Sequence, residues 1–287
     1  ILRLDIEKFH GESDVKAAYI EGLDSFAAKV ASGFFNNPKL GLPSSNGLMI
    51  LLDSQTGVIK SVLLDKGYLT DVRTAIAGAI ASKYLSNPES STVAIIGTGI
   101  QARMQLEALT LVRDIKNVNV WSRDIKKTHA YIENVTKKIN LNFTAFDNTS
   151  EVVKNADILI TTTPSKKPLI DYSYLPKGIH ITAMGSDAEE KNELEPDIIK
   201  NCDAYVPDSQ AQTSILGELN HAIKNNLIKS DMIFNDLGKI IINPELGRKN
   251  NDDITVADLT GTGVQDTAIA RYAYAIADKK KLGIIVN

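Results

Sequence analysis

The run Gly97-Thr98-Gly99-Ile100-Gln101-Ala102 has Gly-x-Gly-x-x-Ala spacing and falls between the apolar stretch 92–96 and a helical pattern over 101–112. In that context Gly97 permits a tight turn, Gly99 lets backbone approach a pyrophosphate, and Ala102 keeps the helix close to the sheet while its first amides face the anion. Thr98, Ile100 and Gln101 share the turn and join the candidate dinucleotide-binding set. An ordinary tight strand-to-helix turn is the competing reading. At the end of the next strand, Ser122 stands where NAD-selective sites place an acidic residue for the ribose hydroxyls, and Arg123 follows. That pair suits a 2′-phosphate through charge-assisted hydrogen bonds and favours NADP over NAD. The alternative has Arg123 covering the adenine face and Asp124 reaching the ribose.

Three further charged residues are candidates for handling a small acid. Arg73 lies in the first turn of a predicted helix, 71–85, where a cation opposes the helix dipole unless an anion compensates; a bound carboxylate would match its bidentate fork. Lys29 lies in the strand pattern 26–31 with alanines on either side, which leaves room around an ammonium able to hold a carboxylate or assist proton transfer. Asp187 follows the strand 179–184 through Gly185 and Ser186, at a carboxyl end of the sheet, where it is placed to act as general acid or base on a substrate nitrogen or, more simply, as a helix N-cap. Both cations also fit a solvent-facing role. The glycines of Leu259-Thr260-Gly261-Thr262-Gly263-Val264-Gln265-Asp266 precede a final helix, 265–280, and allow close approach to cofactor or substrate. His221 reads as structural. No His, Cys or carboxylate cluster has metal-ligand spacing, and there is no Gly-x-Ser-x-Gly nucleophile elbow, so no metal is expected.

The elements that must position these residues alternate as in a parallel α/β unit. After the polar linker 86–91, strands are predicted at 92–96, 118–121, 142–146, 158–162, 179–184 and 204–206, with helices at 101–112, 126–139 and 151–155 between them. Six such strands make a Rossmann-like dinucleotide-binding domain over 89–208. The flanks, 1–88 and 209–287, must then cooperate as a second, α+β domain, with strands at 26–31 and 48–53, a hairpin return at 58–64, and a helix at 211–225. A chain of 287 residues fits two domains, and 43% apolar residues suffice for their cores. The formal charge of −3, without a basic segment, argues against nucleic acid as a partner. Cys202 is the single cysteine, which rules out an internal disulfide and fits a reducing cytoplasm. No apolar run approaches the roughly 20 residues that span a bilayer, so no membrane partner is expected. The chain opens on Ile1 rather than Met, and a preceding segment is expected.

Several stretches together resemble the ornithine cyclodeaminase/mu-crystallin family. They are 47–57, Leu69-Thr70-x-x-Arg73-Thr74-Ala75, Gly97-x-Gly99, Ala183-Met184-Gly185-Ser186-Asp187 with Lys191 and Glu193, and Gly263-x-Gln265-Asp266, in family order. Within the family, the runs 22–26, 37–43 and 67–73 look most like cyclodeaminase-like proteins of ectoine utilisation. The resemblance implies that Arg3, Lys29 and Arg73 surround a substrate carboxylate, that Asp187 is the acid/base, and that the protein is a homodimer assembled through the substrate-binding and dimerisation domain made from the two chain ends, 1–88 and 209–287. The candidate sets also take in Thr262 for substrate and Thr74, Thr162, Met184 and Val264 for cofactor. Because Ser122-Arg123 replaces the acidic residue of true ornithine cyclodeaminases, the reading that leads is hydride transfer between NADP or NAD and a small imino acid, giving an L-amino acid. The alternatives are a cyclodeaminase that releases ammonia without net redox change, and a non-catalytic protein that binds NADPH or a small ligand.

Overall fold

A computed structural model describes residues 1–285. The chain divides into two compact units, Ile1–Arg73 with Thr262–Asn287, and Thr74–Gly261. The boundaries differ from those read off the sequence, 88/89 and 208/209. The segment 209–261 joins the dinucleotide-binding unit because it returns a strand to that unit's sheet, and most of the helix Tyr68–Leu85 goes with it.

In the first unit, strands β1 (Leu2–Ile6), β2 (Gly11–Ala18), β3 (Ser25–Phe34), β4 (Ser45–Asp53) and β5 (Ile59–Leu63) form an antiparallel meander in sequence order. Strict alternation sets its two faces. Ala27, Met49 and Leu51 are fully buried on one face with Ala270 of the C-terminal helix, and the Thr267 hydroxyl of that helix accepts the Ala27 amide at 3.0 Å and donates to the Ala18 carbonyl at 2.6 Å. Lys29 pairs in register with Lys16 on one side and Met49 on the other, so both lysines point to this covered face. The opposite face is apolar as well but half open: Phe26, Ala28, Val30, Leu48, Ile50 and Leu52 are only partly buried, and Leu4 and Val62 are exposed.

Helix α1 (Tyr68–Leu85) leads into the second unit. There follow β6 (Thr92–Ile96), α2 (Ile100–Leu109), β7 (Asn117–Trp121), α3 (Ile125–Thr136), β8 (Asn142–Phe146), α4 (Thr149–Val153), β9 (Ile158–Thr161), β10 (His180–Ala183), α5 (Pro196–Asn201), β11 (Ala204–Pro207), α6 (Gln210–Thr213), α7 (Glu218–Lys224), α8 (Leu237–Ile242) and β12 (Thr255–Asp258); α9 (Gly263–Lys279) returns to the first unit. The sheet order β11-β12-β10-β9-β6-β7-β8 is parallel throughout, with the reversal of strand order between β6 and β9 that defines the Rossmann binding crevice. Fully buried runs such as Val93 to Ile96 and Ile158 to Thr161 are what a sheet covered on both faces requires.

Two sequence expectations are corrected here. The sheet has a seventh strand, β12, which lies between β10 and β11 and ends in the buried Asp258. The single helix expected over 211–225 is two, broken before Glu218 because the α7 amide of Leu219 must reach the Asp258 carboxylate, at 3.1 Å, and a side chain at Gly217 would collide with that carboxylate. Among the described residues no helix is long and apolar enough to cross a membrane.

Candidate active site

In the first unit, chemistry gathers around a carboxylate that the sequence alone did not single out as a hub. Asp266 lies in the first turn of α9 and is fully buried; its Oδ1 accepts Arg73 Nε at 2.9 Å and its Oδ2 pairs with Lys29 Nζ at 3.0 Å. Arg73 Nη1 also donates to the Gln265 side-chain oxygen at 3.2 Å. Thr262 is the N-cap of α9 and closes a capping box with Gln265, which fixes the turn that presents both partners. Arg73 and Lys29 are therefore brought together, 9% and 2% exposed, with Lys16, 5% exposed, as the cross-strand neighbour of Lys29. Burial, reinforced by the Arg73 guanidinium and opposed by Asp266, lowers the Lys29 ammonium to about 8. Arg3 shares the covered sheet face by register, and its guanidinium binds Asp5 at 2.9 Å and Glu12 at 2.8 Å. Val264 is 44% exposed at the head of α9.

In the second unit, the carboxyl ends of β6, β9 and β10 bring Gly97 to Gly99, Thr162, and Met184 to Asp187 to one edge of the sheet. Gly97 has a φ of 118°, and a Cβ there would lie 2.7 Å from Thr162 Oγ1, so the strand-to-helix turn needs glycine. Gly99 is different: an added Cβ would meet nothing within 4 Å, and as N-cap of α2 it offers no side-chain acceptor to the first helical amides. The open space at Gly99, at the head of α2, leaves room for an anion on the positive end of the helix, which fits a pyrophosphate. Gln105 of α2 donates to the Thr74 carbonyl at 3.0 Å, anchoring α2 to α1. At the β7–α3 turn, the Ser122 hydroxyl donates to the Asp124 carbonyl and meets Thr128 Oγ1, both at 2.9 Å, while Arg123 stands exposed with Lys126 and Lys127 close behind in the chain.

Asp187 does not cap a helix. Its Oδ1 accepts the Lys191 ammonium at 2.6 Å, and its side chain is 42% exposed against 7% for the lysine. Met184 is buried, and the Gly185 amide donates to Glu193 Oε2 at 2.9 Å. His221 is structural, its Nε2 lying 2.8 Å from the Lys191 carbonyl oxygen.

A family model described as ornithine cyclodeaminase/mu-crystallin matches residues 2–281. The chain belongs to that family. Among the ornithine cyclodeaminase/mu-crystallin proteins, it is 53% identical over 283 residues to the uncharacterized cyclodeaminase y4tK of Sinorhizobium fredii, covering 99% of this chain and 86% of that one. The Δ1-pyrroline-2-carboxylate reductase of Thermococcus litoralis, solved with NADH and L-proline, superposes with a TM-score of 0.93 at 28% identity, covering 99% of this chain and 88% of that one. An archaeal alanine dehydrogenase dimer with bound NAD has a TM-score of 0.90 at 31% identity, covering 100% and 87%.

The residues that sequence reasoning missed share a cause. Lys16 sits in β2, a strand that was not read from the sequence, and its pairing with Lys29 becomes visible only with the register. Asp266 was legible only as part of a matching motif, although a carboxylate on the buried side of α9 beside Thr267 and Ala270 is the kind of polar interruption that marks a site.

Proposed function

We propose that this chain is a nicotinamide-dependent oxidoreductase that interconverts a small imino acid and an L-amino acid. The observation that carries the reading is the sheet edge of the second unit, where the glycine turn before α2 leaves open space for an anion at a helix head and the turn after β10 holds a half-exposed carboxyl on a buried lysine. The bound nicotinamide would supply or accept the hydride. Gly97, Thr98, Gly99, Ile100 and Gln101 would hold its pyrophosphate, with Thr74, Thr162, Met184, Gly185 and Val264 in the remaining contacts.

In the reductive direction the imine carbon gains a hydride and the nitrogen gains a proton, which Asp187 supplies. Recognition of a carboxylate is the chemistry that the buried cations of the first unit suit. Arg73 offers the fork and Lys29 the point charge, both oriented by Asp266; Thr262 fixes the α9 turn, and Arg3 lies further along the same face. Fixing the acid group in this way raises the effective concentration of the reacting carbon, an effect that reaches several kcal/mol in well-oriented systems, of the order of 7–11. The solved relatives with NADH and L-proline, and with NAD, support the same reading.

The test is a continuous nicotinamide-absorbance assay over a panel of cyclic and open-chain imino acids, with NADPH and NADH compared. Steady oxidation of the cofactor is expected. A flat trace with ammonia released from a diamino acid would instead establish the cyclodeaminase reading, and binding without either would leave a ligand-binding protein. Arg123 makes NADPH the better cofactor. Arg123→Ser is expected to raise the KM for NADPH about tenfold or more, the worth of a charge-assisted hydrogen bond, and to leave NADH nearly unchanged.

The half-open apolar face of the five-stranded sheet suits self-association, and the archaeal alanine dehydrogenase is described as a dimer. Light scattering coupled to size exclusion is expected to give a homodimer. Glutamates in place of Leu4 and Val62, exposed on that face, should shift it toward monomer; a dimer indifferent to both would place the interface elsewhere.

A further inference from the structure

The segment bearing Asp187 is held by buried carboxylates that the reaction scheme leaves without a task. Glu193 is fully buried, and its carboxylate accepts the Thr163 amide at 2.6 Å and the Gly185 amide at 2.9 Å. Thr163 follows β9 and Gly185 follows β10, which are neighbours in the sheet, so one carboxylate bridges the ends of two strands. Glu218 of α7, 1% exposed, holds the backbone of Glu193 in turn. It accepts the Glu193 amide at 2.9 Å, the Leu194 amide at 3.3 Å and the Asn192 side-chain amide at 2.5 Å.

Between these anchors the loop closes on itself. The Ser186 hydroxyl donates to the Lys191 carbonyl at 2.5 Å, and the Lys191 ammonium reaches Asp187 at 2.6 Å. A side chain at Gly185 would collide with the Thr163 carbonyl and with the Glu193 carboxylate, so the bridge depends on a glycine at that position. Burial pushes Glu193 up to about 7 and Glu218 well above the ordinary carboxylate range, with repulsion from Asp258 and Glu193 adding to the second. Such desolvation is costly, and what offsets it here is a set of short amide bonds that all converge on the turn carrying the proton-transfer group.

We propose that Glu193 is a positioning residue: its carboxylate, itself held by Glu218, ties the Thr163 and Gly185 amides together and thereby fixes the turn that aims Asp187. The inference rests on Asp187 being the proton-transfer group. Glu193→Gln replaces one acceptor oxygen with an NH2 that faces an amide donor, so one strand end is released. Turnover is expected to fall about 10²-fold, the loss that a displacement near 1 Å produces, with little change in the KM for the imino acid. Two readouts separate positioning from bulk instability. The primary isotope effect with cofactor deuterated at the transferred position should rise, and amide hydrogen exchange should quicken in residues 183–194.

Ser186→Ala opens the same loop without removing a charge, and the Lys191 carbonyl keeps its contact with His221, so folding is expected to survive. It should show the same signature with turnover down about tenfold. Unchanged turnover and isotope effect in the folded variants would overturn the proposal. So would an activity loss that merely tracks the loss of folded protein, with exchange and isotope effect as in the parent. Asp187→Asn in the same assay separates the two ideas. Full turnover there removes the acid assignment itself, whereas an inactive Asp187→Asn beside a normal Glu193→Gln defeats the positioning role alone.

Discussion

Asp187→Asn is expected to lower turnover by about 10²–10⁴-fold, the range of a positioned general acid or base, while the KM for the imino acid stays close to that of the parent. The side chain is the right one to change because asparagine keeps the shape and an acceptor for the Lys191 ammonium, which lies 2.6 Å away, but has no proton to exchange at this site. The buried side of the pair is the lysine, 7% exposed, and the carboxyl itself is 42% exposed, so substitution removes no core packing. The buried Lys191 does lose its counter-charge, so some loss of stability accompanies the change, and turnover is compared per folded protein. Steady-state kinetics with thermal unfolding of both proteins decides the matter. Full turnover in the variant would end the assignment of Asp187 as the proton donor.

Much of this arrangement is legible in the sequence, for reasons that are local. The strand-turn-helix at Gly97 combines a β-branched apolar run with glycines whose backbone demands are written into residue type, and the structure places β6 at Thr92–Ile96, as read. The α3 boundary is equally local: Asp124 caps the helix by accepting the Lys126 amide at 3.0 Å. What the sequence hides is set by pairing at a distance. β1 and β2 carry no clean alternation, since Asp5, Glu12, Asp14 and Lys16 stand on the covered face, where a core strand would show apolar residues. β12 ends in a carboxylate that is satisfied by the Tyr205 hydroxyl at 2.7 Å and the Leu219 amide at 3.1 Å, partners about which the local sequence says nothing. Arg73 and Lys29 were each readable as solvent-facing, and only Asp266, nearly two hundred residues from Arg73 in the chain, decides that both are buried together.

The same dependence on Asp266 makes its replacement the most disruptive change expected in the first unit. Asp266→Asn leaves two buried cations, Arg73 and Lys29, without their shared counter-charge, and breaking a buried ion pair from one side costs about 3–5 kcal/mol. One outlet limits the loss. Burial and the Arg73 charge already lower Lys29 to about 8, and removing the carboxylate that supports its charge drives it lower, so the lysine sheds its proton at neutral pH rather than remain an uncompensated ion. Carboxylate recognition should suffer accordingly, with the KM for the imino acid rising well above that of the parent.

The parent's pH profile follows from the same group. Lys29 is charged below about 8 and neutral above it, so the charge that attracts a carboxylate is present on the acid side and lost as the pH rises through that value. The kcat/KM of the parent, which reports ionisations of the free enzyme, should therefore decline on the alkaline side from about 8, and in Asp266→Asn the decline should begin at lower pH. A bound carboxylate replaces part of the missing counter-charge, so a saturating substrate analogue is expected to raise the melting temperature of the variant when binding is measurable, as linkage requires for a ligand that binds the folded state. Kinetic profiles and thermal unfolding across pH test both statements. A variant as stable as the parent, with the same alkaline limb, would show that Asp266 neither supports the Lys29 charge nor organises the site.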